Sequence, residues 1–164
     1  MYWRTYVLEF DSSLDLDQID GKRVDGFLSF VSGSCSQSDD ERTLFSAYES
    51  GKVILTGVHG DVYNYIPDLC YLLNIDQNSG YTLEHRKTVA TIDLPHTITE
   101  YALRRNGVSF KEKDGSFVVF FAALCASVYL SRKTAMVMMD PHESLTEEQV
   151  FGIIRDDLNL WLSR

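Results

Sequence analysis

Val108-Ser-Phe-Lys-Glu-Lys-Asp-Gly-Ser-Phe-Val-Val-Phe-Phe121 sets two β-prone runs, Val108–Glu112 and Ser116–Phe121, around Lys113-Asp114-Gly115. A two-residue hairpin turn needs positive φ at both central positions, and Asp-Gly tolerates that. The stretch therefore predicts an antiparallel hairpin. Downstream, Ala122–Leu130 is apolar without a clear period, so helix and continued strand both stay open. Ala135–Met139 reads as a last strand. Ser144 with Glu147, or Thr146 with Gln149, has capping-box spacing, in which two orphan amides are satisfied reciprocally. Val150, Phe151, Ile154, Leu158, Trp161 and Leu162 follow at helical spacing. A long amphipathic C-terminal helix is expected.

Upstream of the hairpin, Tyr81–Leu94 has strand composition and Pro95 ends it. Thr97 and Glu100 form another capping box, and Asn106-Gly107 closes that helix. Pro67 opens a short helix burying Leu69, Leu72 and Leu73, since proline's missing amide costs nothing there. Lys52–Val58 reads as a buried strand closed by His59-Gly60. Ser38 and Glu41 predict a helix with Leu44, Phe45 and Tyr48 on one face, stopped at Gly51. Trp3–Phe10 is a strand, and Phe27–Val31 a second, ended by the Ser/Gly cluster Ser32–Ser36. The chain shows no internal repeat, linker or low-complexity tract. Strands and helices alternate irregularly, so residues 1–164 are expected to form a single α+β domain. Its sheet should be mixed or mainly antiparallel, with the C-terminal helix packed on it.

The 164 residues include 24 acidic and 15 basic side chains, a net charge of −9. Phosphate neutralisation needs clustered Lys and Arg, so the balance opposes nucleic acid. It equally opposes an anionic membrane surface. Cys35, Cys70 and Cys125 are odd in number and far apart, which is no disulfide framework. The N-terminal residues lack a charged n-region followed by an apolar core, and the apolar run Phe117–Leu130 is shorter than a span requires. A cytoplasmic setting is expected.

Catalytic candidates are sparse. Cys35, in Ser32-Gly-Ser-Cys-Ser36 ahead of the predicted helix, is where a helix dipole would lower a thiol pKa. His59, His85 or His96 would then serve as base. A phosphatase-type loop wants Arg six residues after its cysteine, and Arg42 comes one later. Asp39, Asp40 and Glu41 would also repel an anion there. His59 and Asp61, with Asp93 and His96, are ligand types suited to zinc, yet match no helical or ribbon spacing. His59-Gly60-Asp61 reads more simply as a turn. Phosphate-cradling glycine loops and a Gly-x-Ser-x-Gly elbow are absent. Asp156 and Asp157 fall on the polar side of the last helix, and Met136, Met138 and Met139 read as core filler. No cofactor or metal is expected.

Acidity is the remaining signal. Residues 1–50 hold ten acids against four bases. Carboxylates alternating with Leu14, Leu16 and Ile19 suggest an apolar anchor with an acidic rim, which would steer a basic protein to it. The expectation is a protein-binding module using Asp15, Asp17, Asp20, Asp39, Asp40 and Glu41. By analogy, such small acidic domains include inhibitors and immunity proteins that neutralise a basic toxin or nuclease. A small hydrolase or transferase built on Cys35 or the His59/Asp61 pair is one alternative. A non-catalytic subunit of a larger assembly is another, marked by an exposed apolar patch.

Overall fold

The computed structural model describes residues 2–38 and 41–163, the side chains of 36–42 excepted. The chain divides into two compact units. One is Trp3–Arg86; the other is Lys87–Arg164 together with Met1–Tyr2. The pairings below are antiparallel, and helices pack on the strands, so the fold is α+β. Among the described residues no helix is long and apolar enough to cross a membrane.

In the first unit, β1 (Tyr2–Phe10), β2 (Lys22–Val24), β3 (Phe30–Ser38), β4 (Glu41–Tyr48) and β5 (Lys52–Val58) lie in the order β2-β3-β4-β5-β1. Short 3-10 turns follow β1 at Leu16–Gln18 and β5 at Val62–Asn64, and α1 (Ile66–Leu72) comes next. Side chains alternate across a strand, so every second residue faces inward. Val31, Gly33 and Cys35 of β3 stand opposite Ala47, Phe45 and Thr43 of β4, and Phe45 and Ala47 stand opposite Leu55 and Val53 of β5. Val31, Cys35, Phe45, Ala47, Val53 and Leu55 join Leu8, Leu69 and Leu73 in one core. Burying a side chain such as Phe45 contributes about 2–3 kcal/mol relative to exposure.

The helix expected to open at Ser38 is therefore a strand. Leu44, Phe45 and Tyr48 fit one helix face, but Phe45 is buried while Leu44 is half exposed, which is period two. The capping-box residues Ser38 and Glu41 instead pair across the β3–β4 hairpin. Ladder partners on both flanks override that local preference. Gly51 is correctly read as left-handed, at φ 99°, but it closes the β4–β5 hairpin rather than a helix. A Cβ there would stand 2.6 Å from the Phe10 carbonyl oxygen. The second strand also differs: Ser32–Ser36 belongs to β3 and does not end it.

β6 (Tyr81–Asp93) begins in the first unit and continues into the second, where α2 (Glu100–Arg105), β7 (Lys111–Lys113), β8 (Ser116–Phe121), β9 (Ala126–Ser131), β10 (Thr134–Met139) and α3 (Glu147–Ser163) follow. The strand order is β6-β10-β9-β8-β7. Asp114 and Gly115 have φ of 52° and 78°, the positive pair expected of the β7–β8 turn. The ambiguous 122–130 segment resolves into a 3-10 turn, Ala122–Leu124, then Cys125 at φ 52°, then β9. Thr99, not Thr97, caps α2, accepting from the Ala102 amide. Thr146 and Gln149 form the reciprocal box on α3 at 2.9 and 3.2 Å. Val150, Ile154, Leu158 and Trp161 of α3 bury against Val119, Val128, Leu130, Ala135 and Val137.

The two units repeat one plan. Each runs long strand, short helical turn, three-residue strand, three hairpin-linked strands and then a helix. Each also places its first strand at one end of the order and its short strand at the other.

Candidate functional site

The acidic segment after β1 is shaped by its leucines. Leu14, Leu16 and Ile19 are buried in the first core, so they anchor the segment to the domain and offer a partner nothing. That corrects the expected apolar anchor. With the apolar side chains drawn inward, Asp15, Asp17 and Asp20 stand exposed. Asp15 caps the 3-10 turn, its carboxylate accepting from the Asp17 amide at 3.1 Å. Asp17 and Asp25 both pair with the Arg23 guanidinium. Hydrogen bonds from Arg23 and then Ser29 hold the Asp25 carboxyl below its ordinary range. Its negative charge thus persists to lower pH. Asp39 and Asp40 lie outside the described residues. Glu41 opens β4, and nothing further is described of its side chain.

The apolar element of this surface is Phe27-Leu28. Phe27 is fully exposed, at 103% of reference, and Leu28 is 66% exposed. These residues form the bend between β2 and β3, so no ladder turns them inward. They line an open depression of about 390 Å³ with Ser29, Tyr48, Glu49 and Lys52. Glu49 also borders a second depression, lined by Leu14, Asp15, Leu16, Asp17 and Arg23. The result is an aromatic tip in one depression with Glu49 and Lys52, next to a second depression where Asp15 and Asp17 gather and Arg23 bridges Asp17 to Asp25. Phe27 was missed in the sequence because Phe27–Val31 reads as strand from composition. The signal available was Asp25-Gly26, a turn dipeptide immediately before it.

The thiol candidate has the opposite electrostatics to those required. Cys35 is buried in β3 rather than ahead of a helix N-terminus. Burial, with a smaller contribution from the Asp68 charge, pushes its thiol up to about 11. A nucleophilic cysteine needs a lowered pKa. His59 packs edge-on to Trp3 at 5.5 Å, and the Asp61 carboxylate is spent capping the Val62–Asn64 turn. Asp93 ends β6 opposite Thr134, and His96 is exposed, its Nδ1 3.3 Å from the Thr97 carbonyl. Among the described residues no three His, Cys, Asp or Glu side chains gather as a metal group. Met139 is buried in the second core as read, whereas Met136 is exposed and Met138 half buried.

No family model matches this chain, and no curated protein matches it. Among solved structures, Methanococcus jannaschii TBP is similar, with a TM-score of 0.66 and 13% identity. The match covers 99% of this chain and 97% of that one. At that identity the likeness is one of fold, and it spans both units.

Proposed function

We propose that this chain is an acidic protein-binding module whose first unit captures a basic partner, in the manner of an inhibitor or immunity protein facing a basic toxin or nuclease. The observation carrying this reading is the exposed Phe27-Leu28 tip, which shares one depression with Glu49, itself bordering the depression lined by Asp15 and Asp17. Hot spots pair a desolvated aromatic anchor with a rim that excludes water, while rim charge governs the rate of encounter. Trp3–Arg86 holds fourteen acidic residues against six basic, a net of −8. The partner's surface should then carry lysine or arginine around an apolar pocket. A cytoplasmic setting belongs to the same proposal.

Capture from a native lysate at low and high salt tests it. A basic protein should be retained at low salt and released as salt rises. Phe27→Ser should weaken binding by about ten- to a hundredfold, the range of an aromatic hot spot. Asp15→Asn, Asp17→Asn and Asp20→Asn together should slow association and flatten the salt dependence. A complex indifferent to all four changes would sink the proposal.

A further inference from the structure

The second unit carries an open groove near Phe120 and Met138. α3 packs on one face of its strands, against Val119, Val128 and Val137. The alternate residues of the same strands face the other way. Across that face Tyr129 stands opposite Val118 and Met136, and Ser127 opposite Phe120 and Met138. Phe120 is 60% exposed and Met136 38%. Phe120, Ala122 and Met138 wall a groove of about 300 Å³ that also reaches Lys87 and Asp140. A groove of that volume has room for one aromatic ring, with Phe120, Ala122 and Met138 as its apolar contacts.

Lys87 and Asp140 both line the groove, and Lys111 beside Phe120 adds a further positive charge. Lys111 Nζ lies 5.7 Å from the centre of the Phe120 ring. Lys113 is exposed two residues further along β7, on the same face as Lys111 and Val118. Lys87–Arg164 holds nine basic residues against ten acidic ones, a net of −1 beside −8 for the first unit. A partner suited to this groove presents an exposed aromatic side chain flanked by carboxylates. The first unit of this same chain presents one.

We propose that the groove receives Phe27-Leu28 of a second copy, with Asp25 and Asp17 of that copy beside Lys111 and Lys113. This rests on reading Phe27 as a binding anchor. Each copy carries both one tip and one groove, so a copy can dock through either of its two surfaces. Association therefore runs tip to groove, in a closed pair or an open chain.

Sedimentation equilibrium across a concentration series tests this. At low salt the average mass should rise with concentration, and high salt should shift that rise to higher concentration by tenfold or more. Phe27→Ser and Phe120→Ser should each remain at monomer mass. Both residues are exposed, and unchanged circular dichroism and melting confirm folding. Mixing the two variants should produce a species of twice the mass and no larger, because one keeps the groove and the other the tip. Lys111→Glu, which leaves the apolar walls intact, should weaken association at least tenfold.

A wild-type chain monomeric at hundreds of micromolar overturns the inference, as does association that both serine variants retain. So does capture of a foreign acidic protein in the groove of a monomeric chain. A monomeric wild type that still binds a basic lysate protein through Phe27 overturns only this self-docking. Tip-to-groove association with no Phe27-dependent lysate partner overturns only the foreign-partner reading.

Discussion

Gly33 faces the ring of Phe45 across the β3–β4 ladder, and a Cβ there would come within 2.6 Å of the ring's Cζ. That ring is 1% exposed and enclosed by the core, so it has little room to give. Gly33→Ala should destabilise the fold by about 1–3 kcal/mol, as overpacking does. Urea denaturation measures this, and a loss below about 0.5 kcal/mol would show that the ring relaxes freely. Two positions on, Cys35 makes the core sensitive to alkali. Its folded thiol titrates near 11, above its value in the unfolded chain, so the neutral form is favoured by folding. Its contribution is complete below the unfolded pKa and is lost as pH rises from there through the folded value. Stability should fall between about pH 9 and 11, by an amount on the order of 2 kcal/mol. Cys35→Val should remove that part of the slope. None of this was legible in Ser32-Gly-Ser-Cys-Ser36, because serine and glycine signal a loop when their ladder partners are unknown. Only the pairing with Phe45 shows why a glycine belongs in this strand.

Elements were legible where their signals are local. The β7–β8 turn depends on two adjacent residues, and α3 on a reciprocal cap followed by an uninterrupted stripe. Thr146→Ala should cost about 1 kcal/mol, read as a lower melting temperature, while Ser144→Ala should cost almost nothing. Equal losses would mean that Ser144 shares the cap. β4 shows the opposite case. Ser38 and Glu41 have a helix-start spacing, and Leu44, Phe45 and Tyr48 fit a helical face. The chain forms a strand because β3 and β5 supply partners for both of its edges. Non-local pairing of that kind leaves no trace in a short window of sequence. Ala122–Leu130 lies between these cases, its apolar run broken by the left-handed Cys125.

At the scale of the molecule, the most informative feature is the repeat of one plan in two units. Each unit has its own buried cluster, and the two clusters share no residue. Leu55→Ala in the first and Ile154→Ala in the second should each cost about 2–5 kcal/mol. The double variant should equal the sum within about 0.5 kcal/mol, because the two clusters share no residue. A larger departure would show the cores to be coupled. The repeat was illegible in the sequence because matching strands carry different residues: β3 is Phe-Val-Ser-Gly-Ser-Cys-Ser-Gln-Ser, whereas its counterpart β8 is Ser-Phe-Val-Val-Phe-Phe. Composition differs while pattern and order persist. The acidic half of the candidate site was visible as charge, but its anchor was sought among leucines that the core consumes.

Cys125 turns this arrangement to practical use. Cys35 and Cys70 are buried with raised thiol pKa values, whereas Cys125 is exposed and lines the groove beside Phe120 and Met138. A thiol-directed fluorophore should therefore attach at this one position in the native chain, with no engineered cysteine. It would sit at the mouth of the groove, where displacement of water by an incoming aromatic side chain changes its emission. The unaltered protein thus comes with its own reporter of whether that groove is occupied.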